Sequence, residues 1–109
     1  MSVSQWVRVA DASDIEPGMG LRVELDDDHP IAVWNVDGEF YATSDTCTHE
    51  EASLAEGELW GDVVECYLHG AQFDVRTGDV LSLPAVFPLR TFPVKVEDGA
   101  VYVEWTREG

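Results

Sequence analysis

Apolar and polar residues alternate in short runs along most of this chain, and turn residues separate the runs. Trp6-Val7-Arg8-Val9 reads as a first strand. Asp11 to Glu16 is compatible with one short helical turn, stopped by Pro17-Gly18. Leu21 to Leu25 alternates, with its apolar positions on one face, and Ile31 to Val36 follows the polar turn at 26–30. Asp37-Gly38 is a tight-hairpin signal, because a two-residue turn of this kind needs positive φ, and Glu39 to Thr43 returns as the partner strand. Asp62 to Glu65 and Phe73 to Val75 are short strands, the second closed by Arg76-Thr77-Gly78. Thr91 to Glu97, the turn Asp98-Gly99 and Ala100 to Trp105 form a last hairpin. Short alternating strands with frequent turns predict an all-β fold, an antiparallel sandwich or barrel. Residues 45–57 carry few β-branched side chains, and Leu83-Pro84-Ala85 with Phe87-Pro88 marks a proline-bearing loop.

Length and composition narrow the class. The 109 residues fit one domain, expected to span 1–109, with a smaller subdomain of short strands and loops over approximately 44–86. Hydrophobic residues make up 45% and charged residues 26%, so this is a globular chain rather than an acidic disordered tail. No apolar run is long enough to cross a bilayer. The first strand begins too early to leave room for a signal peptide, so a cytoplasmic protein with reduced thiols is expected. The net charge of −16, from 22 acidic against 6 basic residues, argues against nucleic-acid and anionic-membrane partners. It leaves two readings, solubility and electrostatic steering toward basic proteins.

The chemistry is concentrated in four residues. Cys47-Thr48-His49 is followed, after a sixteen-residue gap, by Cys66-Tyr67-Leu68-His69. The chain holds 2 Cys and 3 His, so this pattern takes all but one of them. Two thiolates and two imidazoles make a four-ligand metal site. An all-Cys ferredoxin cluster needs four cysteines, which this chain lacks. A mixed-ligand iron–sulfur centre and structural zinc remain, since zinc also accepts two Cys and two His. A zinc finger usually brings a Cys pair and then a His pair. Here each loop brings one of each, which suits a 2Fe-2S cluster with both thiolates on one iron and both imidazoles on the other.

Cys-x-His, a gap, then Cys-x2-His resembles the motif of Rieske proteins, and the resemblance extends roughly from Val7 to Val103. Leu83-Pro84-Ala85 resembles the proline loop that covers the cluster in that family. The resemblance implies a Rieske fold and one 2Fe-2S cluster. It places Cys47 and Cys66 on the inner iron and His49 and His69 on the outer iron, nearest solvent. Imidazole ligation raises the potential above that of an all-Cys ferredoxin.

Departures from the family's quinol-oxidising members sharpen the expectation. Those members carry an extra Cys in each ligand loop, hydroxyls near the cluster and a membrane anchor. This chain lacks the extra Cys, has Ala71 and Phe73 where the hydroxyls would stand, and shows no anchor. Fewer hydrogen bonds to sulfur stabilise the reduced cluster less, so the potential falls toward the low end of the Rieske range, about −150 to +300 mV. The chain thus resembles the soluble ferredoxin components of bacterial aromatic-ring-hydroxylating dioxygenases. That implies one electron carried from an NAD(P)H-dependent flavoprotein reductase to a terminal oxygenase, by a protein that is not itself an enzyme and is expected to be a monomer. Alternatives are the Rieske-like small subunit of an assimilatory nitrite reductase and a zinc-stabilised interaction module without redox chemistry.

Other residues carry weaker signals. His29 reads as a surface histidine. Trp6, Trp34 and Trp105 read as core or edge packing. Trp60, between the ligand loops, is expected either beneath them or facing a partner. Leu68 and Phe73 would shield the cluster if the family geometry holds. Glu50 and Glu51 are divided between a solvated loop and a docking contact.

Overall fold

The computed structural model describes residues 2–24, 30–45, 53–66, 70–82 and 88–108. Within them the long strands come first and last: β1 (Ser2–Asp11), β2 (Met19–Glu24), β3 (Pro30–Val36), β4 (Glu39–Ser44). Four three-residue strands lie between: β5 (Glu58–Trp60), β6 (Val63–Glu65), β7 (Gln72–Asp74), β8 (Val80–Ser82). The chain closes with β9 (Thr91–Phe92), β10 (Val94–Glu97) and β11 (Ala100–Glu108). Short 3-10 turns occupy Ala12–Asp14 and Leu54–Glu56. Every strand pairing is antiparallel, so the all-β expectation holds. Three sheets result, in the orders β1-β11-β10, β2-β3-β4-β9 and β5-β6-β7-β8.

Two hairpins follow from turn chemistry. Asp37 and Gly38 both have positive φ, 50° and 94°, as do Asp98 and Gly99, 51° and 78°. Two positive values in a row match a turn to the right-handed twist of its strands. The first turn is pinned by Asn35, whose side-chain oxygen accepts from the Gly38 N–H at 2.8 Å. Its amide donates to the Ile15 carbonyl at 2.8 Å, so this buried polar group is satisfied from both ends.

Strand β3 divides the interior. Ile31 and Val33 face a core with Ala10, Ile15, Ala42, Phe92, Val101 and Val103. Ala32 and Trp34 face a second core with Leu54, Val64, Cys66, Ala71, Phe73, Val75 and Leu89. Both faces are therefore buried, and residues 31–35 show no polar alternation. The Trp34 indole fits because Gly20 stands opposite. A Cβ at Gly20 would come within 2.4 Å of the ring. The indole N–H donates to Thr43 Oγ1 at 3.0 Å.

Several boundaries differ from the sequence expectation. The run from Thr91 to Glu97 is two strands, because Pro93 has no N–H to donate and the chain changes sheets there, β9 joining β4 and β10 joining β11. Strands β5 and β8 go beyond the sequence expectation: Glu58-Leu59-Trp60 has no β-branched residue and Val80-Leu81-Ser82 has one, whereas β6, equally short, carries Val63-Val64. Leu25 and His29 fall outside the described residues. Trp34 is fully buried, whereas Trp6 is 40% exposed and is covered on one side by the Lys95 ammonium, 4.7 Å from its ring centre.

Arg76 ties two turns of the third sheet together. Its guanidinium reaches Asp62 at 2.8 Å, beside the β5–β6 turn, and Asp74 at 3.2 Å, at the end of β7. Burial pushes the Asp74 carboxyl up, but hydrogen bonds from the Arg76 side chain and backbone, with its charge, outweigh this and hold it below the usual range. A lowered native pKa contributes stability that is present above the unfolded value, about 3.9, and is lost as pH falls through the native one. Arg76→Gln is therefore expected to lower stability at neutral pH, with the gap from wild type shrinking below about pH 4. Urea unfolding across that range measures it, and a gap independent of pH would refute it.

Candidate metal centre

Cys66 leaves the end of β6 and points into the second core, where it is 2% exposed. The loop that follows is closed at its base. The Cys66 N–H donates to the Ala71 carbonyl at 2.8 Å, and the Gly70 N–H donates to the Cys66 carbonyl at 3.1 Å. Gly70 has φ +74°, a value that glycine adopts without strain. The two backbone bonds hold Cys66 against Gly70 and Ala71, so the Cys66 sulfur leaves a base fixed by backbone hydrogen bonds. Cys47, His49 and His69 lie outside the described residues, as do Glu50, Glu51, Leu68 and Leu83-Pro84-Ala85.

What the described residues do place is the base of each loop. The segment carrying Cys47 and His49 leaves β4 at Asp45 and returns at Ser53. Asp45 clamps this return. Its carboxylate accepts from the Ser53 hydroxyl at 2.6 Å and from the Ala55 N–H at 2.9 Å. Its carbonyl accepts from the Leu54 N–H at 2.7 Å, and its own N–H donates to the Pro30 carbonyl at 3.1 Å. The Arg22 guanidinium stands 3.5 Å from the carboxylate, which is almost wholly buried. A buried carboxylate persists only when paired and hydrogen-bonded, and this one is both.

The two loop bases meet. A Cβ on Gly57 would lie 2.2 Å from the Glu65 carbonyl, so the returning segment runs directly against the end of β6. Leu54 and Cys66 share one core. The base of the proline-bearing loop joins them, with the Leu89 N–H donating to the Gly78 carbonyl at 2.8 Å and Leu89 in the same core. Beside Cys66 a recess of about 310 Å³ opens, lined by Glu56, Gly57, Glu58, Glu65, Cys66 and Gly70. A soft thiolate donor held at the junction of two loops, each carrying one Cys and one His in sequence, fits a mixed-ligand iron–sulfur cluster.

Ala71 and Phe73 are both fully buried among apolar side chains. Trp60 is 64% exposed and is not packed beneath the loops. Its strand explains this: Leu59 faces the core, so Glu58 and Trp60 face out. Asp45 is the residue that sequence reading missed. An Asp two positions before a Cys looks like any loop carboxylate, and only its burial and partners reveal the clamp. Among the described residues, no helix is long and apolar enough to cross a membrane.

Comparison with known proteins agrees with this geometry. Residues 5–93 match the family described as Rieske [2Fe-2S] domain. The chain is 51% identical over 98 residues to ferredoxin CarAc of Metapseudomonas resinovorans, covering 90% of this chain and 92% of that protein. It is 52% identical over 97 residues to the ferredoxin component of biphenyl 2,3-dioxygenase from Rhodococcus jostii, covering 89% and 90% respectively. Among solved structures, the complex of reduced oxygenase and oxidized ferredoxin in carbazole 1,9a-dioxygenase contains a chain that superposes with a TM-score of 0.86 at 51% identity, covering 90% of this chain and 91% of that one.

Proposed function

This chain belongs to the family of Rieske [2Fe-2S] domains, and we infer that it is the ferredoxin component of an aromatic-ring dioxygenase system. Identity of about half, along nearly the full length of two such ferredoxins, carries this reading over a nitrite reductase subunit or a zinc module. The protein holds one Rieske-type 2Fe-2S cluster, which stores a single electron, and it serves an oxygenase rather than being one. Cys47, His49, Cys66 and His69 are the proposed ligands, with the thiolates on the inner iron and the imidazoles on the outer. The buried position of Cys66 supports the inner assignment for its thiolate. The electron donor is proposed to be an NAD(P)H-dependent flavoprotein reductase, and the acceptor a terminal oxygenase. Residues 1–109 are taken as one domain acting as a cytoplasmic monomer.

The chain's own residues supply rigidity and environment. Asp45 holds the first loop closed, and the Cys66–Ala71 hydrogen bond holds the second. A frame that does not move between redox states keeps reorganisation small. The apolar Ala71 and Phe73 offer no hydroxyl to a cluster sulfur, which supports a low potential.

The test is reconstitution. The protein is expected to be red-brown, to give a rhombic EPR signal after dithionite, and to have a midpoint below zero by film voltammetry. Substrate oxidation by reductase and oxygenase together should require it. Its reduction by the reductase should slow as salt rises, because steering is screened beyond about 8–10 Å near physiological ionic strength. A colourless zinc protein, or turnover that does not need it, would overturn the reading.

A further inference from the structure

The outer face of the β5–β6 hairpin has an unusual make-up. In register, Trp60 stands opposite Val63, and Glu58 stands opposite Glu65. These four side chains share the face turned away from the core, since Leu59 and Val64 take the inner one. A tryptophan left 64% exposed forgoes the burial that its size favours, and like charges placed directly opposite one another weaken a sheet. Gln72 Nε2 donates to the Glu65 carboxylate at 3.1 Å, which offsets part of the repulsion but leaves the exposure of Trp60 unexplained. Trp6 differs: it is less exposed and has a lysine over its ring.

We propose that this face, with Trp60 as anchor and Glu56, Glu58 and Glu65 as acidic rim, docks a cationic patch with an apolar socket on the terminal oxygenase. The proposal rests on the electron-carrier reading above. Three observations carry it. Glu56, Glu58 and Glu65 line the same recess as Cys66, so the rim leads directly to a proposed ligand. Val63, Trp60's partner, is three residues from Cys66, about 10 Å along an extended strand, so an anchor here keeps an acceptor near the cluster end. A net charge of −16 is complementary to a cationic partner and repels an anionic one. The oxygenase is favoured over the reductase because the related carbazole ferredoxin was captured in complex with its oxygenase. A contact long-lived enough to isolate needs an energetic centre, and that centre is commonly a Trp, Tyr or Arg ringed by contacts that exclude water.

The experiment uses the holoprotein with the reductase and the terminal oxygenase that the wild type serves. Trp60→Ala is compared with Glu58→Gln, and each variant's visible spectrum and midpoint are recorded first. For Trp60→Ala, the KM for ferredoxin in oxygenase turnover is expected to rise about tenfold or more. Its rate of reduction by the reductase alone should change far less. Glu58→Gln should lower the salt dependence of the oxygenase arm. Because both side chains are exposed, colour should match wild type; the Trp60→Ala midpoint should be unchanged, and Glu58→Gln should move it at most slightly upward. An unchanged oxygenase KM overturns the proposal, and so does a loss of equal size in the reductase arm or confined to it. Failure of the wild type to support any oxygenase turnover would instead defeat the carrier reading, before any variant is compared.

Discussion

Cys66→Ala is expected to yield a colourless protein, with iron at background and no rhombic signal after dithionite. Cys66 is the one proposed ligand whose surroundings are described, and it is buried beside Leu54, Val64 and Ala71 at the edge of the recess. No second thiol is available nearby to replace it, since the chain's other cysteine, Cys47, is itself a proposed ligand. Cluster binding is coupled to folding, so the variant should also unfold at lower urea than the holoprotein. The substitution itself is mild, the loss of one atom from an apolar site, so far-UV circular dichroism should still report a β protein. Iron analysis with EPR measures the outcome. A full complement of iron and an unchanged signal would remove Cys66 from the ligand set.

Asp45→Ala should cost about 3 kcal/mol or more, a large effect for a residue that touches no proposed ligand side chain in the described structure. The change strands the Ser53 hydroxyl and the Ala55 N–H without their acceptor, and leaves Arg22 without its buried partner. Among the described residues, the return at Ser53 would then keep only the Leu54 N–H to Asp45 carbonyl bond, and the base beneath the first proposed ligand pair would loosen. Cluster loss on dilution or mild chelation should accelerate accordingly. Asp45→Asn should be much milder, near 1 kcal/mol. The amide oxygen still accepts from Ala55, and the Ser53 hydroxyl can turn to accept from the amide. Urea unfolding, with iron retention timed against a chelator, compares the two. Equal effects of Ala and Asn would mean that the charge, and not the hydrogen-bonded clamp, is what matters.

Much of the fold was legible because its strands carry local signals. Asp37-Gly38 and Asp98-Gly99 announce hairpins through the positive φ their turns require. The alternation in β2 survives because one face is exposed, with Leu21 and Val23 turned inward and Glu24 outward. Where both faces are buried, as in β3, periodicity says strand or nothing at all. In the third sheet, β6 and β7 are legible from Val63-Val64 and from Phe73 ahead of the Arg76-Thr77-Gly78 turn, whereas β5 and β8 carry no such signal. The pairing within this sheet is decided by Arg76 bridging Asp62 and Asp74 and by the shared core around Phe73.

The candidate site divides in the same way. The interleaved order of Cys47, His49, Cys66 and His69 was enough to name a Rieske cluster, because ligand type and spacing are properties of the chain itself. The absence of further cysteines and of hydroxyls at positions 71 and 73 set the expectation of a low potential on the same footing. Only the tertiary structure showed what holds the loops. Asp45 became a clamp through partners eight and ten residues away, Gly57 became a contact through a carbonyl on β6, and Trp60 became an exposed side chain because Leu59 took the core. Ligand identity is written one residue at a time, whereas burial and hydrogen-bond closure depend on what distant segments place beside each residue.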